Sequence, residues 1–245
     1  VNTPEGMDII SYFYSVEKNG VLSRQEWQLQ PHILRLSASK SESFVVYDHW
    51  NDIPEDAYMY SSAITDCVAK RAKSKPVKTT STQAIVIKTK APQLRSTERL
   101  AIMGEGKAFG EWESTKALQM EEFAPNEWMA VIDAKKVKGN RLEFKFVALD
   151  EKIDYTPLWE TRNNRTIDLP ELKAGESVVY ELDTAFFPIF AWKAAGVVVP
   201  IFSLRSEGSF GVGDFGDLKM MVDWAAKTNQ RVIQILPIYD TTITN

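Results

Sequence analysis

Short apolar runs recur at close spacing through the middle of the chain: Ala84-Ile85-Val86-Ile87, Arg99-Leu100-Ala101-Ile102, Trp128 to Ile132, Leu142 to Ala148 and Ser177 to Leu182. Turn-forming clusters separate them, including Gly104-Glu105-Gly106, Ala124-Pro125-Asn126 and Lys138-Gly139-Asn140. Strands at this spacing, bounded by such turns, predict an antiparallel β-sandwich over residues 83–184. Residues 49–82 are polar, rich in Ser and Lys and weakly periodic, which reads as a linker. After Pro188 the texture changes. Val197 to Phe202 is a continuous apolar run and Val232 to Leu236 is another, interrupted only by Gln234; between them Leu218, Met221, Val222 and Ala225 fall on one face of a helix. Strand, helix and buried strand predict a parallel βαβ unit over residues 185–245, with Asp217 as N-cap and Asn229 as C-terminal stop. Pro200 sits inside the first run, where a central strand tolerates proline poorly.

Residues 1–48 repeat part of this pattern. Tyr12-Phe13-Tyr14 and Phe144-Lys145-Phe146 are matching alternations. Trp27 follows Phe13, and Trp159 follows Lys145, by 14 residues in each case. His32 then answers Asn164, and Phe44-Val45-Val46-Tyr47 answers Val178-Val179-Tyr180. The first copy lacks a front half and the chain does not begin with Met, so the sequence reads as a piece of a longer protein. The expected fold class is mostly β: a partial module at 1–48, a linker at 49–82, a complete sandwich at 83–184 and a first βαβ at 185–245.

Composition narrows the function. A formal charge of -4 and a pI near 5.4 argue against a nucleic-acid surface, which needs clustered Lys and Arg in excess. The Lys70, Arg71, Lys73, Lys75, Lys78 run is then a solvated face of the linker. A single cysteine, Cys67, forms no internal disulfide and suits a reducing, cytoplasmic compartment. No cluster of Cys and His suggests a metal, and no apolar stretch of about 18 residues suggests a membrane span.

Candidate chemistry lies with tryptophans in polar company. Trp112 is set in Phe109-Gly110-Glu111-Trp112-Glu113-Ser114 and Trp159 in Pro157-Leu158-Trp159-Glu160-Thr161-Arg162. Such indoles either cap the ends of a core or stand exposed as stacking platforms, and polar turn sequences favour exposure. A pyranose ring lays its C–H face flat on indole while its rim hydroxyls need polar partners. Lys145 points away from Phe144 and Phe146 and can donate to hydroxyls, Glu160 can accept, and Asn164 can do both. Trp128 starts the alternation Trp128, Ala130, Ile132 and fits a core better than a ligand surface; with Phe123 it is the candidate for a second sugar site. Gly211-Val212-Gly213-Asp214-Phe215-Gly216 spells G-x-G-x-x-G, with Asp240 where a ribose-binding acid belongs, so a dinucleotide enzyme is a rival. Against it, Ser203 to Phe210 separates the glycines from the strand, and Asp214 sets a carboxylate where the pyrophosphate belongs.

Phe109-Gly110-Glu111-Trp112, Asn126-Glu127-Trp128, Leu142-Glu143-Phe144-Lys145-Phe146-Val147 and Trp159-Glu160 with Asn163-Asn164-Arg165-Thr166 resemble the starch-binding modules of carbohydrate-binding family 20. The resemblance implies that Trp112 and Trp159 stack on glucose while Lys145 and Asn164 bond its hydroxyls. Where that family's second site commonly has tyrosine, this chain has Glu121-Glu122-Phe123. Residues 195–206, Phe210 to Leu218 and Gln230 to Pro237 resemble the opening of the barrel in glycoside hydrolase family 77, the 4-alpha-glucanotransferases. That implies a (β/α)8 barrel, transfer of alpha-1,4-glucan segments with retention, and catalytic carboxylates on later strands. Starch, glycogen and maltooligosaccharides are then the expected partners, with no cofactor, metal, nucleic acid or membrane. A non-catalytic glucan-binding or targeting protein is the alternative.

Overall fold

The computed structural model of the chain describes residues 6–150, 156–188 and 193–238, which fall into two compact units, 1–189 and 190–245. In the first unit, strands β1 (Ile9–Tyr12), β2 (Ser15–Lys18), β3 (Val21–Gln25), β4 (His32–Arg35) and β5 (Ser43–Tyr47) come from the first copy of the repeat. The sandwich follows as β6 (Ala84–Lys90), β7 (Glu98–Gly104), β8 (Leu118–Gln119), β9 (Glu121–Ala124), β10 (Glu127–Asp133), β11 (Arg141–Asp150), β12 (Leu158–Trp159), β13 (Arg165–Asp168) and β14 (Glu176–Glu181).

Two sheets make the sandwich. One has the order β5-β14-β6-β10-β9; the other runs β12-β11-β7-β8, with β13 also paired to β11. Their facing sides bury Ile85, Ile87, Leu100, Ile102, Trp128, Phe144, Phe146 and Val178. The alternate residues of the first sheet, Val86, Met129, Val131 and Val179, are buried as well, beneath Leu34 and Ala38 of the first copy. This is why Ala84 to Ile87 reads as a continuous apolar run: both faces of β6 are covered.

The first copy is therefore a layer on the sandwich. Its last strand extends the sheet, β5 lying parallel to β14 with Val45 beside Val178, Val46 beside Val179 and Tyr47 beside Tyr180. The strands that match in the repeat are thus direct neighbours. Arg35 adds a bidentate pair to Glu121, at 2.8 and 2.9 Å.

The segment expected to be a solvated linker departs from that expectation. A single helical turn, α1 (Ser62–Ile64), leads into a π-helical turn, Thr65–Ala69. The side chain of Arg71 is only 3% exposed, because it binds Glu122, Asn126 and the Leu94 carbonyl. Charge alone suggested solvent; an acidic partner on β9 reverses that, since a buried guanidinium needs a carboxylate and acceptors for its remaining donors.

In the second unit, β15 (Gly196–Val199) and β16 (Val232–Ile235) pair in parallel around α2 (Phe215–Lys227). The apolar run breaks at Pro200, and Ile201–Ser203 is a 3-10 turn. The N-cap is Asp214, where Asp217 was expected. The Asp214 carboxylate accepts from the Gly216 and Asp217 amides, and Asp217 closes a capping box by accepting from the Asp214 amide at 3.0 Å. Asn229 ends the helix in the left-handed region, φ +58°. The G-x-G-x-x-G match also fails here. A Cβ on Gly213 would meet the Ile201 carbonyl oxygen at 2.1 Å, so that glycine serves close backbone packing, and the helix amides a pyrophosphate would need are held by Asp214. Asp240 lies outside the described residues.

Candidate functional site

Alternation along β11 decides what faces where. Phe144, Phe146 and Ala148 enter the core, so Glu143, Lys145, Val147 and Leu149 face outward from the second sheet. On that outer side Ala101, Met103, Val147 and Leu149 form a small apolar floor, and Trp112 packs against it.

A strained turn delivers Trp112. Phe109 is fully buried and stacked on Phe144 at 5.5 Å, which anchors the loop. Gly110, Glu111 and Trp112 then all take positive φ, at 75°, 54° and 63°. Only glycine fits the first position, where a Cβ would lie 2.4 Å from the Lys116 carbonyl oxygen. Three consecutive left-handed residues, two of them not glycine, cost free energy that the surrounding packing must offset, and such strain gathers at functional sites.

Trp159 arrives from β12, opposite Val147 in register, and is 38% exposed. The two indole rings lie 6.2 Å apart at 38°, one continuous aromatic surface open on one side. Lys145, half-buried, projects from the same face. Asn164 is exposed and donates to Glu143 at 2.7 Å, which places a polar pair at the edge. Trp112, Lys145, Trp159 and Asn164 are thus brought together. The apolar rings can take the C–H face of a sugar, and the ammonium, amide and carboxylate can meet its rim hydroxyls.

Glu160 does not join them. It comes directly after Trp159 at the end of β12, points inward and is 2% exposed. Its carboxylate accepts from the Phe146 amide at 2.9 Å and from Arg165 at 2.8 to 3.1 Å, leaving nothing for a ligand. Burial works against the charge of Arg165, but its bonds to Glu160 and Asp183 outweigh burial and hold its pKa above the ordinary value. This clamp fixes the strand end that carries Trp159. The second sugar site also fails. Trp128 is fully buried in the core, and Phe123 packs at the edge of the covered sheet face beneath Arg35 and Lys88.

The repeat itself is corrected by two residues. Glu26 is the structural counterpart of Glu160: its amide bonds the Tyr14 carbonyl at 3.0 Å as that of Glu160 bonds Phe146 at 3.1 Å, and its carboxylate accepts the Tyr14 amide in turn. His32, opposite Tyr12 in register, stands where Arg165 stands opposite Phe144, rather than at the place of Asn164. Gln25 rather than Trp27 therefore takes the place of Trp159. The 14-residue spacing concealed the shift because the loop before the glutamate is two residues shorter in the first copy. Trp27 packs edge-on against Tyr60 at 5.3 Å.

Sequence reading missed the buried charge around His32. Its ring is fully buried, with Nε2 at 3.0 Å from both oxygens of Glu26 and Nδ1 at 2.9 Å from Glu181. His32, Asp48 and Glu181 gather three ligand-type atoms within 4.8 Å. Both ring nitrogens already face carboxylates, and the Lys88 ammonium holds the other Glu181 oxygen at 2.5 Å, so the group is an ion-pair cluster.

Comparison with known proteins gives the class first. Residues 82–179 match the family described as starch binding domain, and residues 199–245 match 4-alpha-glucanotransferase. The chain thus carries one segment similar to starch binding domains and another similar to 4-alpha-glucanotransferases. Among particular relatives, "4-alpha-glucanotransferase DPE2" of Oryza sativa subsp. japonica is 26% identical over 242 residues, covering 94% of this chain and 25% of the rice protein. The 4-alpha-glucanotransferase of Chlamydia trachomatis is 50% identical over 46 residues, covering 19% of this chain and 9% of its own. A solved family 20 module of the maltotetraose-forming amylase from Pseudomonas saccharophila STB07 covers 40% of this chain and 99% of its own, at 16% identity and a TM-score of 0.33. The chain spans about a quarter of the length of the rice relative.

Proposed function

We propose that the outer face of the second sheet binds alpha-1,4-glucans, with Trp112 and Trp159 stacking on adjacent glucose units and Lys145 and Asn164 bonding their hydroxyls. The observation that carries this is the pair of indoles 6.2 Å apart at 38°, one of them reached through a strained turn. Two glucose rings bury little area, and lost rigid-body freedom offsets much of the gain, so affinity for short oligosaccharides is weak, on the order of 10 μM to 1 mM.

The whole protein, on the same reading, is a cytoplasmic 4-alpha-glucanotransferase, and the parallel βαβ of the second unit opens its (β/α)8 barrel. Transfer with retention needs one carboxylate as nucleophile and a second as acid/base; a sugar hydroxyl replaces water in opening the glycosyl-enzyme. In such a barrel those groups come from several strand ends, and the resemblance implies that they sit on strands later than those of the second unit. The exposed Cys67 is in keeping with a reducing compartment.

The test is calorimetric titration of the 245-residue chain with maltoheptaose beside a glucose-release assay on maltose. Binding without disproportionation is expected. Absence of any glucan binding overturns the first part, and glucose release above a protein-free blank, with contaminating enzyme excluded, overturns the second.

A further inference from the structure

The two copies of the repeat fasten the same buried glutamate with different cations. In the sandwich, Glu160 is held by Arg165, whose charge is permanent. In the first copy, Glu26 is held by His32, whose charge depends on pH. The position has a second consequence. Arg165 closes a pair within its own module, whereas His32 reaches across to Glu181 at the end of β14, in the sheet that the first copy covers.

We propose that His32 is a proton-operated latch that fastens the layer formed by residues 9–51 to the starch-binding sandwich. Protonated, the ring has two N–H groups, one donating to Glu26 on the layer and one lying 2.9 Å from Glu181 on the sheet, an ion-pair contact rather than an aligned hydrogen bond. Deprotonated, it has one donor for two carboxylates, and a nitrogen lone pair is left facing an anion in a site without water access. Asp48 adds to that field. Its Oδ1 is buried, has no hydrogen-bond donor and lies 4.0 Å from Nδ1, while its Oδ2 accepts from the Tyr12 and Tyr14 hydroxyls. Tyr12 stacks on the ring at 5.3 Å and Tyr14 meets it edge-on at 5.4 Å. From the sheet side, Lys88 of β6 pairs with Glu181, and Lys90 of β6 and Glu127 of β10 stand further off. Three carboxylates against one close ammonium leave room for a second positive charge, and the imidazolium supplies it.

The shifts agree with the geometry. Burial opposes the His32 charge, but the adjoining carboxylates of Glu181, Glu26 and Asp48 prevail and raise its pKa. Burial likewise opposes the Glu181 charge, and His32 and Lys88 outweigh it, bringing its pKa down to about 2. Because the folded His32 value lies above the unfolded one, its stabilisation is complete below about pH 6.5 and disappears as pH rises through the folded pKa. Burial lowers the pKa of Lys90, so Lys90 contributes with the opposite sign, and stability linked to it grows as pH rises. Tyr12 and Tyr14 are both raised and titrate beyond this range.

Imidazole nitrogen spectra of the 245-residue chain between pH 6 and 9, with His32 distinguished from His49 by His32→Gln, test the latch beside amide exchange corrected for its intrinsic pH dependence. The proposal expects both His32 nitrogens protonated at pH 7. It also expects protection of β1 and β4 to fall about tenfold or more by pH 9 while β7 and β11 hold, with the pH response abolished in His32→Gln and kept in His49→Gln. A neutral His32 tautomer at pH 7 overturns it. So does a pH response that survives in His32→Gln, or protection that is lost on adding EDTA, which would make the bridge a metal ion. If His32→Gln does not fold, the wild-type ring protonation still decides.

Discussion

The two copies of the repeat share a frame and differ in the surface it carries. Each has an antiparallel pair, β1 with β4 and β11 with β13, and each buries a glutamate against an amide of the first strand of the pair or the residues just after it. In the sandwich the outward positions are Lys145 and Trp159, and a strained loop adds Trp112. In the first copy the same two positions are Phe13 and Gln25. The frame keeps its buried polar fastening in both copies because an unpaired buried charge is penalised wherever it occurs. The outward face is free to change because solvent imposes no such penalty. The same frame can therefore present different outward residues.

That contrast can be broken most forcefully at the frame. Glu160→Ala strips the partner from a buried guanidinium and from the Phe146 amide, and should destabilise the first unit by about 3 kcal/mol or more, read as a loss of melting temperature and denaturant midpoint. The ligand surface should respond in a different measurement. Trp112→Ala and Trp159→Ala should each weaken β-cyclodextrin or maltoheptaose binding by about 1.5 kcal/mol or more, roughly tenfold, with a smaller change in melting temperature than Glu160→Ala. Unchanged affinity in both would return the indoles to the core. Lys145→Ala and Asn164→Ala should cost about 0.5 to 1 kcal/mol of binding each, since water can replace one exposed hydrogen bond. The smallest effect sharpens the corrected alignment: Trp27→Ala should leave glucan affinity unchanged in the same titration, and a loss as large as that of Trp159→Ala would restore the first copy as a sugar site.

Much was legible from local pattern. The strands around Ile85, Leu100, Trp128, Leu142 and Val178 each contain an apolar run matching the strand observed there, and the helix with Leu218 and Ala225 on one face spans Phe215–Lys227. The outward placement of Trp112, Trp159, Lys145 and Asn164 was legible as well, because aromatic residues in polar turns and a lysine between two core phenylalanines state their own direction. The helix cap was misread by one turn, since Asp214 and Asp217 are equally good caps by type and differ only in which amides they reach.

What the chain determined by itself was thus periodicity, turn chemistry and the facing of alternate residues, all of which depend on neighbours a few positions away. Tertiary structure alone decided the rest. It placed the first copy on the outer face of β6, turned Glu160 and Arg71 from apparent surface charges into buried ion pairs, and set His32 between Glu26 and Glu181. Whether a charge faces water or a partner depends on what another strand brings to it, and residues 32 and 181 meet where the first copy packs on the sheet that β5 extends beside β14.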